Sequence, residues 1–338
     1  MLINPACPTS HFYKRISFKR LSVYLITLFV CLGFFLSVTQ TFGESPDYSQ
    51  YEDYLNLVRF DGINILTTSR FEAGYSILSL ALTAFFTTNL VVYSSTVAAA
   101  MLLKGWVIKA SVSSSRIFFI VAAFYFLRYF PLHELTQLRA ACAIALILVG
   151  AIFLWEGSLR RGLFFCAAAT LFQMSAAAII PVLFITESKR SKVILIAFGV
   201  FVLTSVYSAL ATGYLASYIQ ILDAYQTYGF SDVKPNPFAI QLLIDWVIII
   251  ISLIMWNNLT LLMKRIILIE LIGMAIFYGG IELGVIAHRI REFYSVLWVF
   301  FVANGLRLKS TKALSFGFVF VCIVFYSYVF FISGKFFN

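Results

Sequence analysis

Apolar stretches long enough to cross about 30 Å of hydrocarbon as helix recur along nearly the whole chain, separated by short basic clusters. A bilayer core offers no water to satisfy backbone polar groups, so only helices or closed barrels span it. None of these stretches alternates with the two-residue period of a barrel strand, which leaves an all-α, polytopic membrane protein. Composition agrees: of 338 residues, 61% are hydrophobic and 12% charged, with mean hydropathy +0.93, whereas a soluble domain carries about a quarter charged residues. The net charge of +10 does not indicate nucleic acid. The basic residues sit between apolar spans, as the positive-inside rule expects, and form no single stripe.

The chain threads as a cytoplasmic tail over residues 1–20 and one multispanning domain over 21–338, with about nine to eleven spans in all. This threading places 17 of the 25 Lys and Arg inside and 12 of the 15 Asp and Glu outside. The first span, near 21–39, follows Lys14, Arg15, Lys19 and Arg20 and reads as an uncleaved anchor. An acidic outer segment near 40–72 precedes the apolar run 73–103, one long helix or two short ones, which returns to Lys104, Lys109 and Arg116 inside. Pro131 followed by Glu134 predicts a helix start, with the helix running to about 155 and Arg139 in its second or third turn. Residues 162–186 have basic clusters at both ends, which predicts a re-entrant hairpin or two half-length helices broken near Gln173-Met174-Ser175. Outer segments near 40–72, 129–137, 212–237 and 287–292 are expected to build a small periplasmic cap. The five cysteines show no disulfide or metal spacing, and no metal site or cofactor is expected.

Four polar clusters fall on the outer face in this threading. Asp47, Tyr51 and Tyr54 share a helical stripe, with Tyr48 beside it, and an acid among aromatics suits a sugar; an interfacial amphipathic helix explains the same pattern. Glu72 opens an apolar helix, where the helix N-terminus stabilises a carboxylate with no catalytic role; beside Asp47 it would instead become a usable base. Arg128, His133, Glu134 and Arg139 form the third cluster. An arginine inside an apolar helix costs about 2.5 to 3.5 kcal/mol, so Arg139 snorkels, pairs with Glu134 or holds an anionic ligand such as a diphosphate. His288, Arg289, Arg291 and Glu292 form the fourth, with arginines against the positive-inside trend. His288 and Glu292 are spaced to pair, and Asp245 and Glu282 are candidate partners for the arginines. Carboxylates, arginines and aromatics together fit glycosyl transfer from a lipid diphosphate, a carboxylate taking the acceptor's proton while arginines hold the departing anion.

Several short stretches carry a family resemblance over roughly residues 40–300: Asp47-Tyr48-x-x-Tyr51, Glu72-x-Gly74-Tyr75, Leu138-Arg139-x-x-x-x-Ile144-Ala145, Ser175-Ala176-Ala177-Ala178, and Arg289 followed by Phe293-Tyr294. In this order they resemble the EpsG-like exopolysaccharide and O-antigen polymerases of the Wzy type, which are related to the multispanning GT-C glycosyltransferases. Two positions depart from the family pattern: Gln173 stands where a histidine is usual, and Ser45-Pro46 where Gly-Thr is common.

The resemblance implies a bacterial inner-membrane polymerase with a GT-C-like fold. It would join oligosaccharide repeat units carried on undecaprenyl diphosphate at the periplasmic face, alongside a chain-length regulator and other assembly proteins. Asp47, Glu72, His133 and Glu134 are then the catalytic candidates. Tyr48, Tyr51, Tyr54, Arg128, Arg139, His288, Arg289 and Arg291 are the substrate-binding ones. The alternatives are a GT-C-type transferase adding one sugar from a lipid phosphate and a transporter of lipid-linked glycan, although no internal symmetry marks paired halves.

Overall fold

The computed structural model describes residues 20–40, 47–69, 71–186, 189–212 and 235–329, and these are helical with no strand among them. The expected tail, the Ser45-Pro46 departure and most of the segment near 212–237 lie outside the described residues. The chain forms two compact units, Met1–Ile180 with Val319–Asn338, and Pro181–Phe318.

The first unit contains α1 (Arg20–Val38), α2 (Tyr48–Asp61), the single turn α3 (Ile65–Thr68), α4 (Ala73–Phe85), α5 (Asn89–Ser111), α6 (Ser115–Arg128), the short α7 (Phe130–His133), α8 (Leu138–Trp155) and α9 (Leu159–Thr170). Small residues let these helices approach closely, the usual means of packing where hydrocarbon offers no hydrophobic drive. A Cβ at Gly150 of α8 would lie 2.8 Å from Cys166 Sγ and 3.1 Å from the Gly162 carbonyl oxygen of α9. Ala100 of α5 meets Ala141, Cys142 and Ala145 of α8, with Phe172 packed against the cluster.

The second unit holds α10 (Arg190–Thr212), α11 (Ile240–Ile254), α12 (Leu261–Gly279), α13 (Val285–Ser295), α14 (Trp298–Gly305) and the first part of α15 (Lys309–Ser327), whose end belongs to the first unit. Thr260 caps α12 by accepting from the Met263 amide at 3.3 Å. Gly284, at φ 56°, turns the chain from a 3-10 turn over Ile281–Leu283 into α13, a conformation open mainly to glycine.

Five helices among the described residues are long and apolar enough to cross a membrane: Leu21–Val38, Asn89–Ser111, Leu138–Trp155, Arg190–Ser208 and Lys309–Ser327. Ala73–Phe85, Met174–Phe184 and Ile240–Ile254 are apolar but shorter. The run 73–103 is two helices, interrupted at Phe86–Thr88. The region 162–186 also breaks: α9 ends at Thr170, and 3-10 turns over Met174–Ile179 and Pro181–Phe184 follow. Twelve residues of α9 reach only about 18 Å, short of a full crossing.

Three expected elements are displaced. The helix predicted from Pro131 stops at His133, and α8 starts afresh at Leu138 because Gln137 leaves helical geometry at φ −121°, ψ 61°. Arg139 therefore lies in the first turn of α8, not its second or third. The outer segment near 287–292 is the middle of α13 rather than a loop. Lys104, read as a mark of the inner face, lies within α5 and is fully buried.

Candidate functional site

The Arg139 guanidinium in the first unit binds Glu72, Nη1 to Oε2, at 2.5 Å, with side chains 19% and 18% exposed. The cation also sits 4.4 Å from the centre of the Phe71 ring. Helix geometry explains the pairing. A cation near a helix N-terminus opposes the macrodipole by about 0.3 to 1 kcal/mol, and a carboxylate there is favoured by a similar amount. Arg139 is the second residue of α8 and Glu72 the N-cap of α4, so bringing the two starts together lets the favourably placed carboxylate offset the unfavourably placed cation.

A third start joins them. Glu72 Oε1 accepts from the Met174 amide at 3.4 Å, where the first 3-10 turn begins, and the Gly74 amide donates to the Leu171 carbonyl at 2.8 Å. A Cβ at residue 74 would lie 2.7 Å from that carbonyl oxygen, which accounts for the glycine in Glu72-x-Gly74. The site thus gathers the starts of α4, α8 and the first 3-10 turn around one arginine and one carboxylate, with the Gly74 and Met174 amides already engaged.

Aromatic packing holds α2 against this site. Tyr51 contacts the Phe71, Tyr75 and Tyr93 rings at 5.9, 5.7 and 6.0 Å. The Tyr54 hydroxyl donates to Ser76 Oγ at 2.7 Å. Both tyrosines are buried, at 5% and 7% exposure, so neither offers a ring face to a sugar, contrary to the expected glycan path. Their faces are taken up in joining α2 to α4 and α5. Tyr48, edge-on to Tyr93 at 5.3 Å, is half-buried and keeps an accessible side, as does Asp47 at the N-cap of α2. Burial pushes the Tyr51 phenol above its usual range while the adjacent Arg139 acts in the opposite direction.

The remaining candidates of this unit are interior. His133 is fully buried, with its ring stacked on Tyr129 at 5.6 Å. Glu134, equally buried, pairs with Lys104 and accepts from the Tyr125 hydroxyl at 2.7 Å. Its partner is therefore Lys104 and not Arg139, and neither His133 nor Glu134 reaches a surface that a substrate approaches. Arg128, 5% exposed, lies 5.9 and 5.3 Å from the Phe124 and Tyr129 ring centres and donates to Cys322 Sγ at 3.4 Å. These roles differ from the expected ones because sequence spacing does not reveal which face of a short helix turns inward. Lys104 was missed because a charge inside an apolar run reads as a loop until its counter-ion is located.

In the second unit, Arg291 of α13 pairs with Asp245 of α11, with side chains 4% and 0% exposed. Asp245 thus serves one of the arginines, as its position suggested. His288 Nδ1 and Glu292 Oε1 are 3.0 Å apart, and the His288 ring lies edge-on to Phe277 at 6.3 Å. Arg289 is half-buried and makes no ion pair or hydrogen bond among the described residues. Of the two arginines on this helix, Arg289 is the one available to an anion. No group of His, Cys, Asp and Glu among the described residues has the makings of a metal site.

No curated protein and no solved structure matches this chain. A family model matches residues 23–338 and covers each stretch that carried the resemblance, including Glu72-x-Gly74 and the Arg139 segment that form the paired site. The chain belongs to the EpsG family, which supports a polysaccharide-polymerase type of role in a helical membrane protein.

Proposed function

We propose that this protein extends a surface polysaccharide at the periplasmic face of the bacterial inner membrane, joining oligosaccharide repeat units carried on undecaprenyl diphosphate. The observation that carries the reading is the convergence of three helix N-termini on Arg139 and Glu72. A guanidinium set among helix starts is suited to an anion such as a diphosphate. Glu72 balances that positive field when no substrate is bound and orients the guanidinium.

In this mechanism Asp47 takes the proton of an acceptor hydroxyl. The acceptor oxygen bonds to the anomeric carbon of the donor chain as the bond from that carbon to the diphosphate oxygen breaks. Arg139 stabilises the charge that develops on the departing lipid diphosphate. Tyr48 supports the glycan beside Asp47. Chain-length regulators and other assembly proteins are the expected partners.

Deleting the gene in its parent strain and separating the surface polysaccharide on a gel tests the proposal. The expected result is loss of the repeat ladder with retention of a single-repeat band, restored by the wild-type gene and not by Arg139→Ala. A ladder that persists, with each unit one sugar shorter, favours a single-sugar transferase. An unchanged ladder overturns both readings.

A further inference from the structure

The turn that sets the start of α8 is held from two neighbouring helices. Glu134, five residues before Arg139, receives the Lys104 ammonium from α5 and the Tyr125 hydroxyl from α6 on the same oxygen, Oε1. The adjacent Leu135 carbonyl accepts from the Tyr93 hydroxyl of α5 at 2.5 Å. Tyr93 and Lys104 are eleven positions apart in α5, close to three full turns, so they share a face. Lysine side chains lean toward the N-terminus of their helix, which brings the ammonium back toward the turn that Tyr93 also reaches. Lys104 and Glu134 are both fully buried, and Tyr93 is 3% exposed. The Gln137 amide donates to the His133 carbonyl at 3.1 Å and the Ala141 amide to Gln137 at 2.8 Å, linking the clamped turn to the first turn of α8.

We propose that Lys104, Glu134 and Tyr93 are positioning residues that fix the α7–α8 turn and so hold the Arg139 guanidinium against Glu72. A buried ion pair is costly to desolvate and contributes little net stability compared with an apolar pair of the same shape. Its directional hold on the turn gives it a use that general packing does not. Relaxing the turn moves the start of α8, and Arg139, two residues past Gln137, moves with it. The catalytic consequence rests on the role proposed for Arg139; the clamp itself does not.

The test uses the full-length chain with Lys104→Met, Glu134→Gln, the pair K104M/E134Q and the milder Tyr93→Phe, with Lys109→Met farther along α5 as the control. Two measurements are made: amide hydrogen exchange over residues 137–141 in detergent, and chain extension in membranes supplied with lipid-linked repeat units. Breaking the clamp should raise exchange about ten-fold in the single Lys104 and Glu134 variants and about three-fold in Tyr93→Phe. Extension turnover should fall by similar factors with half-saturating substrate nearly unchanged, and Lys109→Met should match wild type in both. If the single variants do not accumulate, K104M/E134Q and Tyr93→Phe still give both readings, since neither leaves a buried charge without its partner. In an Arg139→Lys background the clamp substitutions should cost extension little more. Unchanged exchange overturns the clamp. Raised exchange with unchanged turnover, while Arg139→Ala blocks extension, overturns its positioning role. Raised exchange with normal extension from Arg139→Ala supports the clamp and overturns the role assigned to Arg139 instead.

Discussion

Two ion pairs flank one short turn of the first unit, and they differ chiefly in access to solvent. Lys104 and Glu134 are fully enclosed, whereas Arg139 and Glu72, only five residues farther along in the case of the arginine, remain about one-fifth exposed. In sequence each is a charged residue beside or within an apolar stretch. The enclosed pair orders the scaffold, and the partly open pair sits where three helix starts meet. Burial therefore separates the group that holds the site from the group that can meet a ligand.

Glu134→Ala gives the largest expected loss of stability. It leaves the Lys104 ammonium buried and uncompensated, at a cost of about 3 to 5 kcal/mol, read as a lower unfolding temperature in detergent and reduced membrane levels. A variant as stable as wild type would end the distinction between the pairs. Gly74→Ala comes next. Its Cβ would press on the Leu171 carbonyl at 2.7 Å, which costs about 1 to 3 kcal/mol and separates Glu72 from the break after α9, so both extension and thermal stability should fall.

Arg139→Ala is the opposite case. A partly exposed pair contributes at most about 1 kcal/mol, so protein levels should hold while the polysaccharide ladder disappears; a ladder of normal length would move the chemistry elsewhere. Tyr54→Phe is the mildest. It removes only the hydroxyl that binds Ser76, lowers stability by about 1 kcal/mol and should leave ladder length unchanged, because Tyr54 joins helices and does not face the glycan. A shortened ladder from this variant would return Tyr54 to the substrate path.

Much of the architecture was legible in the residues. Apolar length and the absence of strand alternation gave helices, and matching basic clusters around 162–186 located the break that Gln173 and Met174 occupy. Asp47, Glu72, Arg139 and Arg289 stood out as polar groups at unusual places. Their pairings did not. Arg139 seemed close enough to Glu134 to bind it, but the chain leaves helical geometry at Gln137 and turns the two side chains to different neighbours. Tyr51 and Tyr54 were placed correctly on one stripe and assigned the wrong surroundings, since a stripe does not state whether water or another helix lies against it.

What the sequence alone determined is a helical membrane chain with a few carboxylates and arginines in costly positions, because insertion energy and helical periodicity depend on local composition. Only the tertiary structure decided that Glu72 meets Arg139, Lys104 meets Glu134 and Asp245 meets Arg291. Those contacts join residues dozens of positions apart, and the partner of a buried charge is set by which helix faces come together.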